Sequence, residues 1–197
     1  MTRFQFSIEL QYDIAPPGSD FVFNIHAAQT EQQTVIAESL RLSQPLPHTL
    51  YTDPVTHTRY LRLQSGAGPL SVHYEATVDV DHYQADPAQL AEVPVADLPG
   101  EVLPYLYPSR YCQSDRLLRF AMTEFGQRWQ GYSRVQAIRD WVVERVTFRS
   151  NSSNGNTSAV DTLVEKVGVC RDFAHLMIAL CRALNIPARF ATGIDYG

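Results

Sequence analysis

Apolar residues change their spacing once along this 197-residue chain, and that change limits what it can fold into. Over residues 3–13 they alternate with polar ones, so Phe4, Phe6, Ile8, Leu10 and Tyr12 fall on one side. Period two over that length marks a half-buried strand, because successive side chains leave opposite faces of an extended backbone. The turn-forming run Pro16-Pro17-Gly18-Ser19-Asp20 separates it from a second alternation, Phe21, Phe23, Ile25 and Ala27. Weaker strands are expected over residues 34–42 and 59–63. After a Gly-rich turn, Leu70, Val72, Tyr74, Ala76, Val78 and Val80 alternate again. Five or more such strands joined by turn residues predict an antiparallel β-sandwich or barrel-like domain.

Beyond Pro108 the spacing becomes helical. Ser114 is expected to cap a helix through residue 125 that Gly126 ends, and Ser133 with Gln136 to form a capping box on the next. In that second helix Val135, Ile138, Trp141, Val142 and Val146 make the inner stripe, and Phe148 reads as core. The polar run 150–156 reads as a flexible loop. Ser158 with Asp161 caps a short third helix that ends near Gly168. A fourth helix carries Cys170 and should bury Phe173, Ala174, Met177, Leu180, Cys181 and Leu184; Pro187 stops it, and residues 188–194 read as a strand. The fold class is therefore α+β. The boundary falls in the Pro-rich stretch 87–108, with a β-rich domain over residues 1–98 and a helical one over 99–197. Charge supports the division: residues 1–100 carry 4 basic and 12 acidic side chains, residues 101–197 carry 12 and 9.

A net charge of −5 argues against nucleic acid or an anionic membrane as partner. The N-terminus has no basic segment followed by an apolar core, and no run approaches a membrane span. The three cysteines suggest no disulfide framework. Cys170 and Cys181 lie eleven residues apart on one helix, ~16 Å along its axis and out of disulfide reach. A reducing, cytoplasmic location is the natural inference. Cys181 reads as packing and Cys112 as a loop residue open to solvent.

Cys170 is the chemically suggestive residue. It follows Gly168-Val169 and opens an amphipathic helix, where unpaired backbone N–H groups and the helix dipole favour an anion such as a thiolate. The same position also suits an inert small hydrophobe. The whole run 168–189, with Tyr107-Pro108-Ser109-Arg110-Tyr111, Ile138-Arg139-Asp140-Trp141-Val142 and Thr157-Ser158-Ala159, resembles the transglutaminase-like superfamily. The match is to its bacterial cysteine-peptidase branch, in which a β domain precedes the catalytic core. The resemblance implies a partial papain-like or transglutaminase-like α+β core with Cys170 as nucleophile.

The base is harder to place. His175 is near in sequence, yet five helical positions put the two side chains roughly 140° apart and ~7.5 Å displaced along the axis. It is expected to hydrogen-bond its surroundings, and a zinc site on Cys170 and His175 fails on the same geometry; no metal or cofactor is expected. The other five histidines lie in the β-rich half. Asp172, in the first turn, suits dipole complementation and capping, with room for a supporting role in ordering the site. Arg171 reads as solvated.

A helix N-terminus stabilises an anion by ~0.3–1 kcal/mol, less than the ~1.4 kcal/mol of one pKa unit. An imidazolium partner lowers a thiol pKa to ~3–4 and also protonates a leaving amine, which a dipole cannot do. In the family resembled, a histidine and then an aspartate follow the segment matching residues 188–194, and this sequence stops at Asp195-Tyr196-Gly197. The resemblance thus implies the N-terminal portion of an enzyme acting on peptide or isopeptide amides through a thioester, inactive by itself, with a peptide or protein substrate. The alternatives are a noncatalytic protein- or glycan-binding module on a remnant core, or completion by another copy at an exposed edge strand.

Overall fold

The computed structural model describes residues 1–194 and divides the chain into two compact units, one of residues 1–84 and one from residue 85 onward. The first contains β1 (Thr2–Ile14), β2 (Ser19–Phe23), β3 (Gln33–Leu42), β4 (His48–Thr52), β5 (Arg59–Ser65) and β6 (Gly68–Val80). They form two antiparallel three-stranded sheets, ordered β1-β6-β3 and β2-β5-β4. The alternation read in β1 meets that of β6 directly: Phe4 faces Val78, Phe6 faces Ala76, Ile8 faces Tyr74 and Leu10 faces Val72. Leu61 and Leu63 of one sheet share a core with Leu70 and Val72 of the other, so each sheet buries one face. The turn into β2 requires Gly18, whose φ is +119° and where a Cβ would meet the Ser65 carbonyl oxygen at 2.5 Å.

β4 has no counterpart in the sequence reading. All five of its residues are exposed, so there is no alternation to read, and only its pairing with β5 makes it a strand.

The second unit begins with three short 3-10 turns, Pro87–Gln89, Val95–Asp97 and Gly100–Leu106. There follow α1 (Ser114–Phe125), α2 (Tyr132–Arg145), β7 (Thr147–Phe148), α3 (Ala159–Glu165), β8 (Val167–Gly168) and α4 (Cys170–Ala183), with β7 and β8 a parallel pair. The core gathers on α4: Leu176, Ala179 and Leu180 are fully buried with Phe125 of α1 and Ile138 and Val142 of α2. Trp141 packs edge-on against Phe120 and Phe125, which makes it core.

Several local expectations are corrected. Ser114 is the first residue of α1, and the cap position belongs to Gln113, which makes no side-chain cap bond. The Ser133–Gln136 box does not form, because α2 starts at Tyr132 behind Gly131. A crossing segment sets that start: Tyr132 N–H donates to Leu90 O (2.8 Å), Glu92 N–H donates to Gln130 O (2.9 Å), and Gly131 bridges Ala91. The buried Arg134 lies 2.9 Å from the Glu92 carboxylate, close as charges though not aligned as a hydrogen bond.

The Ser158–Asp161 box on α3 does form in both directions. α4 ends at Ala183, with Asn185 (φ +60°) in the left-handed region after it, two residues before Pro187. Residues 188–194, expected as a strand, form none among the described residues: beyond the Ala188 N–H to Tyr105 O bond they have no ladder partner. Phe148, expected in the core, is 59% exposed. Cys112, expected open, is buried; that burial pushes its thiol up in pKa, against hydrogen bonding with Ser109.

Candidate active site

Cys170 is exposed and is the first residue of α4, reached from β8 through Val169 alone. Val169 is extended (φ −104°, ψ 175°), which suits a residue entering a helix from a strand. A valine side chain offers no cap acceptor. The complementary half of a capping box is present instead: Val169 N–H donates to Asp172 Oδ2 at 2.8 Å. The N–H of Cys170 is among the helix's first donors, which have no intrahelical acceptor.

Asp172 is fully buried behind the thiol's own turn. Burial opposes its charge, but hydrogen bonds from Ser153 and Val169 and the adjacent Arg171 guanidinium outweigh that, holding the carboxyl below the usual aspartate range. Gly168 leaves room for it: a Cβ there would lie 2.7 Å from Asp172 Cβ and 3.1 Å from its Oδ2.

Arg171, expected to be solvated, is a tie. Its Nη2 donates to Ser153 Oγ (3.0 Å) and Asn154 O (2.9 Å), and it approaches Asp172 Oδ1 at 3.4 Å. From the other side Tyr111 Oη donates to Gly155 O (2.7 Å) and Arg110 Nη2 to Asn156 Oδ1 (3.1 Å). The polar loop is thereby fastened to the first turn of α4 and to the segment before α1. Sequence reading missed Tyr111 and Arg171 in these roles, since both fastenings span more than fifteen residues and neither leaves a periodic signature.

His175 is 9% exposed and lies on the buried side of α4, whereas Cys170 is exposed. Its ring stacks on Tyr111 (centroids 5.1 Å apart, 5° between planes) and leans on Phe190 at 5.5 Å. Its Nδ1 is buried without a hydrogen-bond partner, which corrects the expectation that it would bond its surroundings. Burial, and then Arg171, lower its pKa against the pull of Asp172. Cys181 is sealed among core side chains, and burial pushes its thiol to about 12. Among the described residues no three His, Cys, Asp or Glu side chains are grouped to hold a metal ion, and no helix is long and apolar enough to cross a membrane.

Residues 2–101 match the family model described as bacterial transglutaminase, N-terminal domain, and residues 122–197 match that of the transglutaminase-like superfamily. The fold is similar to the crystal structure of a candidate cysteine protease from Cytophaga hutchinsonii. That likeness has a TM-score of 0.86 and 43% identity, over 94% of this chain and 67% of the other. An uncharacterised protein of Mycobacterium leprae is 26% identical over 105 residues. The match takes in 53% of this chain and 37% of that relative, so the chain spans little more than a third of its length.

Proposed function

Because the chain belongs to the transglutaminase-like superfamily, we propose that it is the N-terminal portion of a cysteine enzyme that acts on peptide or isopeptide amides. The observation that carries this reading is the exposure of Cys170 at the first turn of α4, while both other cysteines are buried. In the proposed reaction the Cys170 sulfur attacks the amide carbonyl and the C–N bond breaks as the amine departs with a proton. A thioester remains, and water or a second amine then takes the acyl group and returns the thiol. The Cys170 N–H is the proposed donor to the developing oxyanion. Asp172 and Arg171 support the site by position, the first through the helix start and the second through the neighbouring loop.

The leaving amine needs an acid. His175 is the one histidine of the second unit, and its place on the buried side of the helix does not suit it to that task. These 197 residues by themselves are therefore proposed to give little or no turnover. The proposed setting is cytoplasmic, the proposed substrate a peptide or protein, and self-association through an outer strand edge is a further proposal that light scattering would test.

The deciding experiment is on the full-length protein that carries this segment. Amide cleavage should vanish with Cys170→Ala, and mass spectrometry of a quenched reaction should find an acyl group on Cys170. Activity that survives Cys170→Ala would overturn the reading. Cys170-dependent turnover by the 197 residues by themselves would overturn its second part.

A further inference from the structure

The first unit holds a cleft of about 200 Å³ lined by His26, Glu38, Leu40, His48, Leu61 and Tyr74, with Ser39 and Leu50 at its sides. Its residues come from β3, β4, β5 and β6 and from the loop after β2, so the rigid sheets shape it. Its charge is balanced. Arg59 grips the Glu38 carboxylate with both guanidinium nitrogens (2.6 and 2.8 Å), and Tyr74 Oη donates to the same carboxylate at 2.7 Å. Tyr74 is itself fully buried and accepts the Ala27 N–H at 3.1 Å. The one charged group in the lining, the Glu38 carboxylate, is thus already matched by Arg59 and Tyr74, so the cleft offers no unpaired charge and a neutral ligand fits best.

The two imidazoles are the polar groups left to spend. His48 Nδ1 is 3.1 Å from Leu46 O; a carbonyl only accepts, so that nitrogen carries the proton and Nε2 is left as an acceptor. His26 Nδ1 is sealed in the wall beside the Tyr74 ring, leaving its Nε2 as well. Leu40 and Leu50 supply an apolar side, and Leu61 is fully buried. The volume is that of roughly seven water molecules, the scale of one six-membered ring with its hydroxyls.

We propose that this cleft binds one neutral pyranose ring, its hydroxyls on Nε2 of His26 and His48 and its C–H face on the leucines. This is independent of the chemistry at Cys170. The test is imidazole NMR of the whole chain, titrated with methyl glucoside, methyl N-acetylglucosaminide, glucosamine and glucuronate. A neutral glycoside should shift the His26 and His48 ring signals saturably, with a Kd in the range of about 1–50 mM, and leave His57, His73 and His82 unmoved. Both charged sugars should bind at least several-fold more weakly, and His48→Phe should abolish the response while thermal unfolding stays cooperative. If that variant does not fold, the wild-type titration decides. Given a saturable response, tighter binding of methyl cellobioside assigns the source to a glycan chain, and equal binding to free sugar. No saturable shift with either neutral glycoside, or equal shifts with glucuronate or glucosamine, would overturn the proposal.

Discussion

At the scale of single residues, three thiols of one chemical type have three different environments. Cys170 stands exposed at a helix start, Cys112 is buried beside Ser109, and Cys181 is enclosed by core hydrocarbon. Only a thiolate alkylates readily, and burial both shields Cys112 and Cys181 and pushes their thiols up in pKa. Iodoacetamide on the folded protein at neutral pH should therefore label Cys170 and leave the other two until denaturant is added; peptide mapping that finds Cys112 or Cys181 labelled at a comparable rate would contradict this. Asp172 is the second residue whose surroundings make a sharp claim. Removing its carboxylate by Asp172→Ala strands the Val169 N–H and takes away the acceptor shared by Ser153 and Arg171, at a cost of about 1–3 kcal/mol. Chemical denaturation of the second unit should report that loss, and Asp172→Asn, which keeps an acceptor at Oδ1, should recover part of it.

Among elements, what could be read from sequence was whatever is encoded locally. β1 and β6 announce themselves because one face is half-buried in β1 and buried in β6, and Ser158–Asp161 announces α3 because both partners of the cap lie within one turn. What escaped was decided by distant chain. α2 starts where the segment 90–92 holds residues 130–132, not where Ser133 offers a cap. α4 buries Asp172 and His175 because Tyr111 and the loop 149–157 cover them, so its most buried face is turned from the purely apolar one. The same holds at the candidate site: Cys170 and its helix were legible, whereas the ties made by Arg171 and Tyr111 depend on contacts across the fold. Two substitutions test element ends. Lys166 closes α3 with φ +54°, a conformation that costs a side-chain-bearing residue about 1 kcal/mol, so Lys166→Gly should leave stability unchanged or raise it by up to ~1 kcal/mol. Gly168→Ala should do the reverse. Its methyl would press on Asp172 at 2.7 Å, displace the carboxylate from Val169 N–H, and cost about 1–3 kcal/mol by thermal unfolding.

For the molecule as a whole, the two units carry one burial theme apiece: a histidine whose charged form burial penalises. His26 lies against Tyr74 in the first unit and His175 against Tyr111 in the second; burial is the first cause of lowered pKa in both, followed by a nearby arginine. In the unfolded chain each titrates near its ordinary value of 6.5. The sign follows from proton counting. Below that value the unfolded state binds more protons than the folded one, so stability falls as pH falls. The carboxylates of Glu38 and Asp172, whose pKa values are held down, keep their contribution until pH drops below the ordinary carboxylate range, so they act later. Acidification from pH 7.5 to 5 should therefore lower the unfolding temperature of both units before the Glu38 and Asp172 carboxylates are protonated. His175→Phe keeps an aromatic ring between Tyr111 and Phe190 and removes the titrating group. In calorimetry across that range it should flatten the slope of the second unit and leave that of the first, whose own slope His26→Phe should flatten. If the second unit's unfolding temperature falls as steeply with acid in His175→Phe as in the unaltered chain, burial of this imidazole does not set the acid limit, and the loss must lie with groups that titrate elsewhere in that unit.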